Sequence, residues 1–158
     1  FIYTKKKGNK IYLYWKAECR GRDGKMKQAK AFDEAIRLDP NNANDWYGKG
    51  VALKDKGKFD EAIQAYDEAI RIDSNNANDW YGKGVALKDK GKFDEAIQAY
   101  DEAIRIDSNN AKAWNNKGFA LYRRGKYDEA LKAYDEATRL NPNFAEAWNN
   151  KGLALFRK

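Results

Sequence analysis

The chain has 158 residues, 42% hydrophobic and 35% charged, with five Trp, ten Tyr and seven Phe. No run approaches the roughly 20 consecutive apolar residues that a bilayer-crossing helix needs, and the aromatic content offers the burial that disordered chains lack. Histidine is absent and Cys19 is the single thiol. That excludes an intramolecular disulfide and removes the usual acid/base residue of neutral pH.

The net charge of +7 is unevenly placed. Residues 1–30 hold ten Lys and Arg against Glu18 and Asp23, a balance of +8, and the other 128 residues carry −1. Within this basic segment, Ile2–Lys5 and Ile11–Cys19 are rich in β-formers, and Lys7-Gly8-Asn9-Lys10 between them is a turn signal. With a second turn at Arg20–Gly24, residues 1–23 are expected to form a β-hairpin or small meander; a degenerate first helix is the competing reading. Lys5, Lys6, Lys7, Lys10, Lys16, Arg20 and Arg22 interleave with aromatics, a pattern that suits phosphate contact and base stacking. A solvated hairpin whose lysines deter further strand pairing is the simpler account.

Residues 24–42 follow as a partial repeat. Phe32-Asp33-Glu34-Ala35-Ile36-Arg37-Leu38 has the pattern of a second helix, one residue short of the register that comes after it. That register is 34 residues: Trp46, Trp80, Trp114 and Trp148 share it with Gly50, Gly84, Gly118 and Gly152 and with Leu53, Leu87, Leu121 and Leu155. The segment Asn41–Ala77 recurs unchanged as Asn75–Ala111.

In one unit, Trp46, Gly50 and Leu53 lie at i, i+4 and i+7, one face of a helix, and Phe59, Ala62, Ile63, Tyr66, Ala69 and Ile70 form a second face. Gly57 between them suits a left-handed helix end. Asp60 and Glu61 favour the start of the second helix, and Asn75-Asn76 offers a cap for the next. Whole units are expected over 43–76, 77–110 and 111–144. Residues 145–158 supply only the first helix of a fourth, with Trp148, Leu155 and Phe156 left without a second helix to cover them.

The set Trp46, Gly50, Leu53, Gly57, Phe59, Ala62, Tyr66 and Ala69, repeated as Trp114, Gly118, Leu121, Gly125, Tyr127, Ala130, Tyr134, Ala137 and then Pro142, resembles the tetratricopeptide repeat (TPR). Ser74 and Ser108 depart from the family's proline, which Pro40 and Pro142 retain. The resemblance implies an all-α solenoid of helix-turn-helix units in a right-handed superhelix, following the N-terminal β segment. It also implies a non-catalytic scaffold that binds a peptide or partner protein along a concave surface lined by first helices.

By position, that surface comprises Asn44, Tyr47, Val51 and Lys54; Asn78, Tyr81, Val85 and Lys88; Asn115, Asn116, Phe119, Tyr122 and Arg123; and Asn149 and Asn150. Tyr and Val offer flat apolar contact in the first half, while Asn and Arg123 offer hydrogen bonds and a carboxylate partner in the second. The Lys and Asn clamp of chaperone-binding TPR domains is missing, since Tyr47 and Val51, or Asn115 and Phe119, hold its places.

The recurrent Asp-Glu pairs keep the scaffold period and precede Ala each time, as a solvated helix face does, whereas catalysis needs one convergent site. Asp73-Ser74-Asn75-Asn76 lacks the Gly and bidentate Glu of a calcium loop. No enzyme activity, metal or cofactor is expected. The alternatives to groove binding are a self-associating array through the uncapped C-terminal helix, giving a homo-oligomer, and nucleic-acid binding through residues 1–30. With neither signal segment nor span in evidence, the expected location is the cytoplasm and no membrane partner is expected.

Overall fold

The computed structural model describes the backbone of residues 2–7, 10–15 and 22–158, with side-chain environments from residue 28 onward. Strands β1 (Ile2–Lys7) and β2 (Lys10–Trp15) pair antiparallel, with Ile2 opposite Trp15 and Lys7 opposite Lys10. Eight helices follow among the described residues: α1 (Arg22–Leu38), α2 (Ala43–Lys54), α3 (Phe59–Ile72), α4 (Ala77–Asp89), α5 (Phe93–Ile106), α6 (Ala111–Arg123), α7 (Tyr127–Leu140) and α8 (Ala145–Arg157). Because α1 begins at Arg22, residues 22–24 are helical and do not form the expected second turn.

Each helix touches the next in the chain, and the pairs α2–α3, α4–α5 and α6–α7 form hairpins. Gly57, Gly91 and Gly125 turn the chain with φ of 75°, 84° and 75°, a region that a side chain disfavours. In the first of these turns Lys58 N–H reaches back to Leu53 O at 3.0 Å and Gly57 N–H to Lys54 O at 2.8 Å, pairing carbonyls that the helix end leaves free. Asn42 and Asn76 cap α2 and α4 by accepting from the N–H of Asn44 and Asn78.

The core is a chain of linked clusters. Tyr66, Tyr100 and Tyr134 are at most 1% exposed, each surrounded by small residues such as Ala62, Ala96 and Ala130. A Cβ built on Gly50 would lie 2.7 Å from the Tyr66 ring, and one built on Gly82, in the next unit, 2.6 Å from the same ring. One tyrosine therefore fills the space left by two missing side chains and joins its own first helix to the following one. Gly84 with Tyr100 and Gly118 with Tyr134 repeat the first half of that contact.

Phe32 fills the equivalent place over Gly48, so α1 keeps the 34-residue register through its packed part. The one-residue offset expected there concerns only Gly24, and the side-chain contacts correct it: Asp33 pairs with Lys49 as Asp67 does with Lys83, Asp101 with Lys117 and Asp135 with Lys151. Each of these lysines also lies over a tryptophan, Lys49 on Trp46 at 5.3 Å and Lys151 on Trp148 at 4.9 Å among them. The indole N–H of Trp46, Trp80, Trp114 and Trp148 donates to the carbonyl of Pro40, Ser74, Ser108 and Pro142 respectively, at 2.9–3.1 Å. Because the carbonyl is the acceptor, serine serves as well as proline.

Asp79 breaks the apolar pattern. It is fully buried, both carboxylate oxygens lack a partner, and Ala113 and Ala147 occupy the same place in later units. Burial, reinforced by the charge of Asp73, pushes its carboxyl up to about 6. The identical residue Asp45 is only half-buried and accepts from Asn42 Nδ2 at 2.7 Å.

Gly84→Leu should therefore overpack the α4–α5 contact and cost about 1–3 kcal/mol, whereas Gly152→Leu should be nearly neutral, because nothing lies within 4 Å of a Cβ there. Denaturant melts giving equal losses for the two would contradict the packing account. Asp79 has a raised native pKa, so the native state gains stability as pH falls through about 6 and loses it as pH rises, by about 3 kcal/mol at full ionisation. Asp79→Ala is expected to raise the midpoint at pH 7.5 and to flatten its rise between pH 7.5 and 5. With no histidine to titrate in that window, an unchanged pH slope in the variant would refute the assignment.

Candidate functional site

The first helices touch one another along the array, α2 with α4, α4 with α6 and α6 with α8. The array therefore curves toward them, and their outward-pointing residues share one inner face.

On α2 and α4, Tyr47, Val51, Tyr81 and Val85 are half-buried, with the Tyr47 ring tilted on Tyr66 at 5.7 Å and Tyr81 on Tyr100 at 6.0 Å. Each phenol is thus held by the tyrosine that fills the glycine spaces, and keeps an exposed part. Asn44 and Asn78 are exposed in the first turns, while Lys54 and Lys88 lie 3.2 and 3.5 Å from Asp55 and Asp89. Asn116 Nδ2 donates to Tyr81 Oη at 3.0 Å, linking α6 to α4. Burial raises the Tyr81 pKa and the Asn116 bond partly offsets this, so the hydroxyl stays protonated.

Toward the C-terminal end the face becomes cationic. Phe119 has Lys88 Nζ 5.9 Å and the Arg123 guanidinium 5.8 Å from its ring centre, and Arg123 also lies over Phe93 at 4.7 Å. The guanidinium is held by two aromatic faces, remains exposed, and makes no ion pair among the described residues. Asn149 is exposed, and Asn150 donates to Asn115 Oδ1 at 3.0 Å.

One expected groove residue is placed differently. Asn115 is 2% exposed, and its own amide donates to Glu146 Oε1 at 3.1 Å, so its polar atoms are used inside the α6–α8 junction and are not open to a ligand. Tyr122 stays half-buried, its ring tilted on Tyr127 at 5.4 Å much as Tyr47 is on Tyr66. Sequence spacing places Asn115 on an inner helix but does not reveal the neighbours that cover it.

Of the expected polyanion contacts, Lys5, Lys6, Lys7 and Lys10 lie on β1 and β2, and Arg22 opens α1. Lys16 and Arg20, with Cys19, lie outside the described residues. Three shallow depressions recur with the repeat, one of them between Trp80, Lys83 and Leu87 on one side and Glu95 and Gln98 on the other. None includes an inner-face residue. The Asp–Lys–Trp junctions and the role of Glu146 were not singled out in the sequence; the recurring 16-residue Asp-to-Lys separation was the available signal for the first. No helix among the described residues is long and apolar enough to cross a membrane.

Residues 50–91, 84–125 and 118–158 match a family model described as TPR repeat, and residues 31–64 match one described as tetratricopeptide repeat. Similar solved structures include MamA, at 26% identity and a TM-score of 0.78 over 81% of this chain and 75% of that one. YrrB, described as a TPR protein with an unusual peptide-binding site, is 25% identical with a TM-score of 0.73 over 85% and 69%. The first TPR of Spaghetti (RPAP3), bound to the HSP90 peptide SRMEEVD, is 28% identical with a TM-score of 0.71 over 72% and 90%. No curated protein matches the chain.

Proposed function

The chain belongs to the tetratricopeptide repeat family, and from that premise we propose that it is a protein-interaction scaffold whose inner face binds an extended segment of a partner. The observation that carries this reading is the continuous row of half-buried Tyr47, Val51, Tyr81, Val85 and Phe119 on helices that touch one another, ending at the exposed Arg123. Peptide-bound and peptide-binding neighbours with the same fold support it.

The division of labour follows from the chemistry. Tyr47 and Tyr81 give flat surface at little entropic cost, because their rings are already held by Tyr66 and Tyr100. Phe119, flanked by Lys88 and Arg123, suits an acidic group on the partner, because a guanidinium fixed on two rings meets a carboxylate with less ordering cost than a free one. The open Asn44, Asn78 and Asn149 can serve the partner's backbone. Repeats 43–76, 77–110 and 111–144 form the groove in this reading.

Peptides selected from a displayed random library on the whole chain should carry apolar residues and at least one Asp or Glu. Tyr47→Ala with Tyr81→Ala, and separately Arg123→Ala, should each weaken a selected peptide about tenfold or more in anisotropy titrations, with helical circular dichroism unchanged. Retention of full affinity by both folded variants would show that the groove is not the site.

A further inference from the structure

Strands β1 and β2 sort their residues onto two faces of unlike chemistry. Directly opposite residues of an antiparallel pair share a face, and the faces alternate along each strand. The register therefore puts Ile2 with Trp15, Thr4 with Leu13 and Lys6 with Ile11 on one face, and Tyr3 with Tyr14, Lys5 with Tyr12 and Lys7 with Lys10 on the other. The first face is mostly apolar. The second holds only tyrosine and lysine, three of each, and neither strand carries an acidic residue. The surplus charge of the chain is local to this segment, +8 over residues 1–30 against −1 for the rest.

The second face has the order of a binding platform. Its three rungs run from Tyr–Tyr through Lys–Tyr to Lys–Lys, so aromatic and cationic positions follow one another along one line. Same-face positions of a strand step by roughly 6.8 Å, about twice the ~3.4 Å that a stacked nucleotide strand rises per residue. That step suits bases drawn apart, each on its own ring, and not a duplex. Lys7 directly opposite Lys10 sets two like charges together, which weakens a hairpin unless an anion lies between them. Lysines that only deter further strand pairing need no face in common with the tyrosines. A single-stranded nucleic acid uses both residue types at this spacing.

We propose that this face binds single-stranded nucleic acid without sequence preference, with bases stacked on Tyr3, Tyr12 and Tyr14 and phosphates held by Lys5, Lys7 and Lys10. The site is built from the hairpin alone and shares no residue with the groove on the first helices.

The probe is a fluorescein-labelled oligothymidylate of about 16 nucleotides, titrated with the whole chain and followed by anisotropy at several salt concentrations. Saturable binding is expected, and Lys5→Gln, Lys7→Gln and Lys10→Gln together should make the slope of log affinity against log salt shallower by about 2, at ~0.7 for each lysine on a single strand. Lys5→Gln alone should weaken binding about threefold or more, while Lys6→Gln, the same charge change on the other face, should leave it within about twofold. Tyr12→Val with Tyr14→Val, which keep the preference for a strand, should weaken binding about tenfold or more with the salt slope kept, and Tyr12→Phe with Tyr14→Phe should not weaken it. No binding at about 0.1 mM chain in low salt, the weak end of sequence-independent affinity, would overturn the proposal. So would equal losses from Lys5→Gln and Lys6→Gln, equal affinities of the valine and phenylalanine pairs, or equally tight binding of a duplex of the same length. Binding to phosphatidylserine vesicles without binding to the oligothymidylate would make a bilayer the partner and overturn the choice of ligand.

Discussion

The structure depends on one recurrent contact, a tyrosine ring lying in the space where a glycine has no side chain. Tyr66 makes it twice, over Gly50 and over Gly82, and by doing so converts a helical hairpin into a unit that holds its neighbour. Each ring is ringed by alanines, so the helices approach closely with little side-chain entropy lost. The Asp–Lys–Trp junctions add partly exposed ion pairs that set register more than they add stability.

Since every contact of this kind joins only adjacent helices, identical sequence meets different surroundings according to position. Asp45 and Asp79 belong to identical segments, yet one is half-buried and bonded to Asn42 while the other is fully buried without a partner. Alanine at 113 and 147 removes that cost in the later units. The same nearest-neighbour rule explains why Gly152 is open. The pattern of α8 is intact, and the helix that would complete it is not part of the described array.

The helices, their turns and the partners Gly50, Ala62 and Tyr66 were legible because a 34-residue period repeats each packing decision several times. The inner face was legible only as positions. Tyr47 and Tyr81 lie on α2 and α4 where spacing puts them, but Asn115, on α6, is taken up by Glu146 and Asn150. Local spacing cannot see a residue some 30 positions away that turns a groove amide into a junction amide. The apparent offset of α1 failed for a related reason: Gly24 suggested a slip, while Phe32 over Gly48 and Asp33 with Lys49 hold the register.

If filled glycine spaces hold the array together, protection should follow them helix by helix. Hydrogen exchange read by mass spectrometry, on dilute chain without a partner, measures this directly. The expected result is strongest protection in α4 and α5, where both neighbours are in place, falling to the weakest among α2–α8 in α8, beside the open Gly152. Protection in α8 equal to that in α4 would contradict the account.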